Sequence, residues 1–389
     1  MRIFCLGGAG AITREAIRDL LDHVPVEQVT IGDRDEGAGR AVLAWLQDER
    51  VTFRKTDVSE GAGLAAVLRE YDLVMDGTPI SVNSRSAAIL AEAGVNAINL
   101  NGMSGEWEHH GAFKSAGKTF VPGFGMTPGV TNLMAAHGAS EMDTAESVFI
   151  SHGAFRPIAF SRAMAETTVV EYDPDLPTRT VFEDGRFVQV PPFARPKLIR
   201  LPDPFGEHFQ YIIPHPEGLT LSQFLRAKGV RLIEVRGTWP PANMELLKVL
   251  YQWGMLRNPV VEVKGCRVGV LDAVVSHLLE SPQGTTTSLY GYALHVEVVG
   301  TRGVRKVRRV FTSTHPASDG SIPDWAGLRA YTRSVGIPFA IGAQLILQGD
   351  AKDVGAVAPE AAFDPRQVFA ELHKRGIRVI EEVEPVSRA

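Results

Sequence analysis

The sequence predicts an α/β fold: a Rossmann-type doubly wound parallel sheet, plus a second mixed, largely antiparallel α+β domain. Three observations predict it. A short apolar run over residues 3–6 is followed by Gly7-Gly8-Ala9-Gly10 and then by a helix-forming stretch from Ala11. Strand and helix patterns alternate from there to Val121, and repeated β-α-β order gives parallel strands with right-handed crossovers. After Thr144 the pattern changes to short strands joined by turns such as Asp184-Gly185, which read as antiparallel pairs.

The chain has 389 residues, enough for two domains with full cores. Hydrophobic residues are 44% and charged residues 22%, a globular balance. A net charge of −5 argues against a general nucleic-acid binder. The only cysteines are Cys5 and Cys266, so no disulfide framework or cysteine zinc site is expected and a reducing cytoplasm fits. The glycine turn interrupts the first apolar run, which leaves no signal-peptide pattern. No apolar stretch approaches the ~20 residues that span a bilayer, so no membrane contact is expected. The pair His109-His110 has no third ligand at useful spacing, and no metal site is expected.

The first strand, the glycine turn and the start of the helix together form an anion site. The backbone N–H groups of Gly8, Gly10, Ala11 and Ile12 converge there, and the helix dipole adds partial positive charge, so a pyrophosphate can sit without a basic side chain. Thr13 stands where a third glycine commonly lies and packs helix on strand less closely. A second strand over residues 29–33 ends in Asp33, the place and residue type for a carboxylate on a ribose diol. Asp33 also suits a cap for the next helix, residues 38–47. The adjacent Arg34 would attract a 2′-phosphate, but the acid comes first, so NAD is expected, with NADP as the alternative. A third strand spans residues 51–55. Asp57 and Val58 follow it, either beside the adenine or capping a helix over residues 61–70. The fourth strand, 72–75, leads to Gly77, Thr78 and Pro79, at the edge that faces phosphates and the nicotinamide ribose. After a helix over 83–92, the fifth strand (97–100) ends in Asn101-Gly102 at the same edge, and a sixth covers 119–121. The glycine- and proline-rich loop 122–129 reads as a hinge and as a loop beside the nicotinamide, with Pro128 at the cofactor. A helix over 130–142 follows.

Beyond it, strands are expected at 147–153, 180–182, 187–190 and 209–213, with helices at 221–227 and 244–253. A hairpin joins 289–299 to 304–312. The four cations between Val304 and Val310 read as a solvated or subunit-facing strand surface. Helices at 340–347 and 365–374 and a strand at 378–381 restore the α/β pattern. Residues 1–127, completed by 338–389, are therefore expected to bind the dinucleotide. Residues 128–337 are left for substrate and dimer contacts.

Six stretches carry a family resemblance: LGGAGAIT, VTIGDRD, DLVMDGTP, VPGFGMTPGVTNLMAAH, EYDPDLPTRTVFEDGRFVQVPP and GAVAPEAAFDPRQVFAELHKRGI. They span nearly the whole chain. It resembles the saccharopine dehydrogenase-like oxidoreductases and, in length and layout, the lysine 6-dehydrogenases among them. The resemblance implies a homodimer and NAD(P)-linked oxidation of an amine, or reduction of an imine, at a C–N bond of an amino acid or polyamine-like amine. Oxidation of the lysine 6-dehydrogenase kind leads. The rivals are a reductase that joins an aldehyde to an amine, of saccharopine or carboxynorspermidine type, and a non-catalytic NAD(P)-binding sensor. Two stretches depart from the pattern: Asn101-Gly102-Met103, where relatives often place an acid, and residues 236–241.

Hydride leaves carbon more readily when the attached nitrogen has a free lone pair. Deprotonating an amine of pKa near 10.4 at pH 7 costs roughly 4–5 kcal/mol, so a base or a desolvating pocket is needed. His215, framed by Pro214 and Pro216, and His137, on the helix after the Pro128 loop, are the candidates. Each also reads as a histidine satisfied in a loop or helix face. Glu171 suits a substrate ammonium or an exposed strand. Arg236 offers bidentate geometry to a substrate carboxylate, with Trp239 as a flat apolar wall. Equally, they read as a surface cation and a core residue.

Overall fold

The computed structural model describes residues 1–281 and 289–385. In chain order the first elements are β1 (Arg2–Leu6), α1 (Ala11–His23), β2 (Gln28–Asp33), α2 (Glu36–Leu46), β3 (Val51–Lys55), α3 (Ala62–Leu68), β4 (Leu73–Asp76), α4 (Asn83–Ala93), β5 (Asn96–Asn99), α5 (His110–Ser115), β6 (Thr119–Val121) and α6 (Val130–Ser140). Then come β7 (Thr144–Phe155), α7 (Arg162–Val170), β8 (Thr180–Glu183), β9 (Arg186–Gln189), β10 (Lys197–Leu201), β11 (Gly206–Ile212), α8 (Glu217–Phe224), β12 (Leu232–Thr238), α9 (Pro241–Gln252), β13 (Val260–Val263), β14 (Cys266–Gly269), α10 (Val270–Glu280), β15 (Gly291–Arg302) and β16 (Arg305–Thr314). The chain closes with α11 (Arg329–Gln348), β17 (Gly355–Ala356), α12 (Pro359–Ala362), α13 (Pro365–Lys374) and β18 (Arg378–Pro385). It forms two compact units, Met1–His137 with Thr332–Arg378, and Gly138–Tyr331 with Val379–Ala389. No helix among the described residues is long and apolar enough to cross a membrane.

The first unit holds a seven-stranded sheet in the order β17-β6-β5-β4-β1-β2-β3, every neighbouring pair parallel. Ile3, Phe4, Cys5 and Leu6 are all buried, without alternation, because such a sheet is covered on both faces. Strand order reverses between β1 and β4, so their C-terminal ends flank the crevice where doubly wound sheets take ligands. A buried ion pair ties the last helix to the first: Arg375 Nε donates to Asp19 Oδ2 at 2.8 Å, and its Nη2 donates to Gln344 Oε1 at 2.7 Å.

The second unit is built on a nine-stranded sheet. Its main path is β10-β11-β12-β7-β15-β16-β18, and β8 and β9 attach at β12. Only β12 and β7 run parallel in the registered pairs of this sheet. The C-terminal tail divides. Residues 332–378 go with the first unit, whereas β18 joins the second sheet beside β16; residues 386–389 lie outside the described residues.

The expected helix over 340–347 is much longer, because α11 starts at Arg329 and runs through Pro338. A proline inside a helix costs one hydrogen bond and ~3 kcal/mol or more. Burial of Ile337, Phe339, Ala340 and Ile341 around it offsets that cost. The sequence reading gave no strand over 232–238, where Glu234 and Arg236 interrupt the apolar pattern. There β12 is buried on both faces, and the two charges neutralise each other at 2.9 Å. In β16, Lys306 pairs with Glu146, Arg308 with Glu297 and Arg309 with Glu381, so this cationic strand is largely neutralised within its own unit.

Candidate functional site

At the crevice of the first sheet the turn after β1 can only be built from glycine. Gly7 has φ +63°, and a Cβ on it would stand 2.8 Å from the Gly77 carbonyl oxygen. A Cβ on Gly8 would stand 2.8 Å from the Cys5 carbonyl oxygen. Gly10, Ala11 and Ile12 continue into the first turn of α1. Thr13 fits without the third glycine because Gly77 yields the space: a Cβ on Gly77 would meet Thr13 Oγ1 at 2.1 Å. At the end of β2, Asp33 Oδ2 accepts the Ala9 N–H at 3.2 Å, and Oδ1 accepts the Asp35 N–H at 3.1 Å. Its carboxylate therefore stands against the glycine turn, where a ribose diol would meet it. Arg34 is exposed beside it. The Gly8 and Gly10 N–H groups are taken by the Gly32 and Gly7 carbonyls at 3.2 Å and 3.0 Å, contrary to the expectation that they point at a phosphate, so it is the first turn of α1, from Ala11 and Ile12, that offers N–H groups to a dinucleotide beside the Asp33 carboxylate.

The remaining residues expected at this edge are held as follows. Asp57 accepts the Ser59 N–H at 2.7 Å and caps the single turn Val58–Glu60, not the helix expected over 61–70. Thr78 donates its hydroxyl to Asp76 Oδ1 at 2.6 Å, and Pro79 is exposed. Asn101 donates to Glu106 Oε1 at 2.9 Å and to Ser104 Oγ at 2.7 Å. The buried Glu106 thus folds an acid back into the loop after β5. Pro128 is buried, and its carbonyl accepts the Gly125 N–H at 2.8 Å. His137 lies in this unit, with its ring edge-on to Phe369 at 5.9 Å.

The second unit gathers a buried polar cluster on one face of its sheet. Strand alternation puts His152 of β7 and Tyr292 of β15 on the same face, where they share a hydrogen bond at 3.1 Å between Tyr292 Oη and His152 Nδ1. Gly237 makes room for the imidazole, since a Cβ there would stand 2.6 Å from His152 Nε2. His215, after β11, stacks on His152 with ring centres 5.7 Å apart. Its Nδ1 lies 3.2 Å from Glu217 Oε2, at the first turn of α8, where a helix dipole favours a carboxylate. Trp239 stands edge-on to both His152 and Tyr172, at 5.7 Å and 5.5 Å. Tyr331 stacks on Tyr292 at 5.6 Å, with the Arg156 guanidinium 5.3 Å above its ring.

Charge in this cluster is set by burial and neighbours. Burial, reinforced by the charge of His215, pushes His152 down to about 3, so it stays neutral. Burial also acts to hold His215 neutral, but the Glu217 carboxylate, with Glu171 behind it, raises His215 above its ordinary 6.5. Burial pushes Glu171 up to about 7, against the pull of His215, Arg156 and Arg179. The cluster therefore holds one carboxyl, Glu171, that changes charge near neutral pH, beside a histidine, His215, held above its ordinary range.

The structure brings His215, Glu171 and Trp239 into one unit and one cluster. Glu171 ends α7 and is not on a strand. Arg236 is placed differently from the expectation. It pairs in register with Ser151, next to His152 but on the opposite face of the sheet. Its guanidinium is taken up by Glu234 and the Arg195 carbonyl, away from the His152 face. His152, Tyr292, Glu217 and Arg156 escaped the sequence reading. The one local signal was a carboxylate two residues after His215; His152 and Tyr292 meet only through strand pairing, and Arg156 reaches the cluster through the Tyr331 ring of α11. Among the described residues no group of three His, Cys, Asp or Glu side chains could hold a metal ion.

Comparison with known proteins finds two successive family segments along the chain. Residues 3–121 match the saccharopine dehydrogenase NADP binding domain, and residues 125–377 match the saccharopine dehydrogenase C-terminal domain. The chain is 22% identical over 290 residues to the carboxyaminopropylagmatine dehydrogenase of Synechocystis, covering 70% of this chain and 68% of that protein. It is 24% identical over 286 residues to the carboxynorspermidine synthase of Vibrio alginolyticus, covering 72% of this chain and 67% of that one. The apo structure of saccharopine dehydrogenase (L-Glu forming) from Saccharomyces cerevisiae superposes with a TM-score of 0.74 over 98% of this chain and 99% of its own, at 16% identity.

Proposed function

The chain belongs to the saccharopine dehydrogenase family of NAD(P)-dependent oxidoreductases acting on amine groups, and from that premise we propose that it works on the C–N bond of a carboxyl-bearing polyamine-type or amino-acid amine. The observation that carries this reading is the buried His215–Glu217 pair in its aromatic-walled cluster. The names of the two curated relatives favour polyamine-type chemistry over oxidation of lysine at its side chain.

NAD(P) held at the glycine turn and Asp33 would supply hydride exchange at the carbon attached to nitrogen. His215 handles the accompanying proton. In the oxidising direction the CH–NH unit loses a hydride and its N–H proton to become C=N, and His215 accepts the proton while Glu217 stabilises the imidazolium that forms. In the reducing direction His215⁺ returns that proton to nitrogen as carbon receives the hydride. Tyr292 holds His152 in one orientation beneath the His215 ring, and Trp239 closes the wall against water. Asp33 reads the ribose diol, which favours NAD. A second reading, reductive joining of an aldehyde to an amine, is favoured by the synthase among the relatives. A homodimer in a reducing cytoplasm completes the proposal, and light scattering after size-exclusion chromatography reads the dimer.

The test is amine-dependent reduction of NAD⁺ and NADP⁺, and amine-plus-aldehyde-dependent oxidation of the reduced forms, across amino acids and polyamines. His215→Ala is expected to abolish turnover and leave cofactor fluorescence titration unchanged. Full turnover by that variant would remove His215 from the chemistry.

A further inference from the structure

Among the buried polar atoms of the second unit's described residues that have no hydrogen-bond partner in this structure, four belong to side chains of this cluster that no ion pair engages: Glu171 Oε2, His152 Nε2, Trp239 Nε1 and Arg156 Nε. Buried polar atoms are nearly always matched, and leaving one unmatched costs ~1–3 kcal/mol, more for a charged group. One loose atom can be a local accident. Four around one cluster, with His152, Trp239 and Arg156 each 2% exposed, describe an interior shaped for something polar.

The division of charge says what kind of ligand. His215 is engaged with Glu217, and the neutral His152 with Tyr292. Arg156 spends its two terminal nitrogens on the Pro157 and Ile158 carbonyls and the Thr168 hydroxyl. The Arg179 guanidinium goes to the Glu171 and Asp173 backbone carbonyls, leaving the Glu171 carboxyl itself without a bonded cation. The groups that face this carboxyl electrostatically are His215, Arg156, Arg179 and Glu217. None of these cations donates a hydrogen bond to Glu171 Oε2. Next to Glu171 in the chain, the Tyr172 ring stands edge-on to Trp239 at 5.5 Å, aromatic surface of the kind that suits an alkylammonium.

We infer that Glu171 is the specificity-determining residue for a second cationic nitrogen of the substrate, so that the site takes a diamine-type chain, not a simple monoamine. This rests on the oxidoreductase reading above and divides its labour. The reacting nitrogen gives its proton to His215, while the second nitrogen keeps its charge on Glu171. A buried carboxylate paired by an ammonium of the ligand is matched only when the right ligand is present, which makes it discriminating.

The experiment uses two probes of equal carbon chain, cadaverine and n-pentylamine, titrated calorimetrically into the full-length protein with NAD⁺ and NADP⁺ present. Cadaverine should bind at least roughly tenfold more tightly. It should also release protons at neutral pH, read from the dependence of the heat on the buffer's ionisation enthalpy. Glu171→Gln should erase both the preference and the release, while Glu171→Asp should retain part of each. Equal binding of the two amines by the wild type, no binding of either, or a preference that survives in a folded Glu171→Gln would overturn the inference. Turnover of amines without a diamine preference sinks this inference and leaves the oxidoreductase reading standing. A diamine preference without hydride transfer to or from any amine does the reverse.

Discussion

Thr13 Oγ1 stands 2.1 Å from the point where a Cβ on Gly77 would lie, so the close approach of helix to strand is secured by a glycine on β4's side of the contact. Thr13 is itself 1% exposed. Gly77→Ala should therefore push α1 away from the crevice and weaken NADH binding by tenfold or more, read by nicotinamide fluorescence. The double variant Thr13→Gly/Gly77→Ala should recover most of that binding. If the double variant binds no better than the single one, the two residues do not share the space.

Asp33 accepts the Ala9 N–H at the rim of the glycine turn. Asp33→Asn keeps a hydrogen-bond acceptor and removes the charge. NADH affinity should fall by roughly tenfold, about 1.4 kcal/mol, and NADPH affinity should rise, because the exposed Arg34 then faces the 2′-phosphate unopposed. Fluorescence titrations with the two cofactors measure both changes.

How much of this was legible differs between the two units. β1, β2, β3 and β6 and their helices follow from local signals: a buried apolar run, a glycine turn, an acid at a strand end. The same signals put Gly8 and Gly10 in the turn after β1, Asp33 at the end of β2 and Gly77 just after β4, where the structure has them. The second unit resists such reading because its strands pair over long sequence distances. His152 and Tyr292 are 140 positions apart and meet only through the register of β7 with β15. Arg236 shows the same limit from the other side. Its residue type suited a carboxylate, but strand alternation turns it to the far face, where Glu234 neutralises it.

Glu171 gives a stability signature. Burial raises its carboxyl from 4.5 to about 7 in the folded protein. The contribution is therefore fully present below pH ~4.5 and is lost as the pH rises from there to about 7, the interval in which the unfolded chain is ionised and the folded one is not. Glu171→Gln should be more stable than wild type above neutral pH, by on the order of 3 kcal/mol. The difference should shrink as the pH falls towards ~4.5. Urea unfolding at a series of pH values reads it, and a pH-independent difference would contradict the buried carboxyl.

Arg375 and Asp19, in α1, form an almost wholly buried ion pair. Arg375→Met leaves Asp19 without its main cation and should cost ~3–5 kcal/mol. Arg375→Met/Asp19→Asn should cost less than the single change, because no lone buried charge remains. Chemical denaturation of the set gives the cycle, and simple additivity would count against the pairing.

The central claim is hydride exchange between NAD(P) and a carbon bonded to nitrogen. The most direct measurement supplies NADH and NADPH carrying deuterium at the transferable position, together with aldehyde or keto-acid partners and a panel of amino acids and diamines, and examines the products by mass spectrometry. The account predicts a product amine with one deuterium on the carbon next to nitrogen, absent with His215→Ala. Deuterium only on a carbinol carbon, or in no product while the cofactor binds tightly, would contradict it.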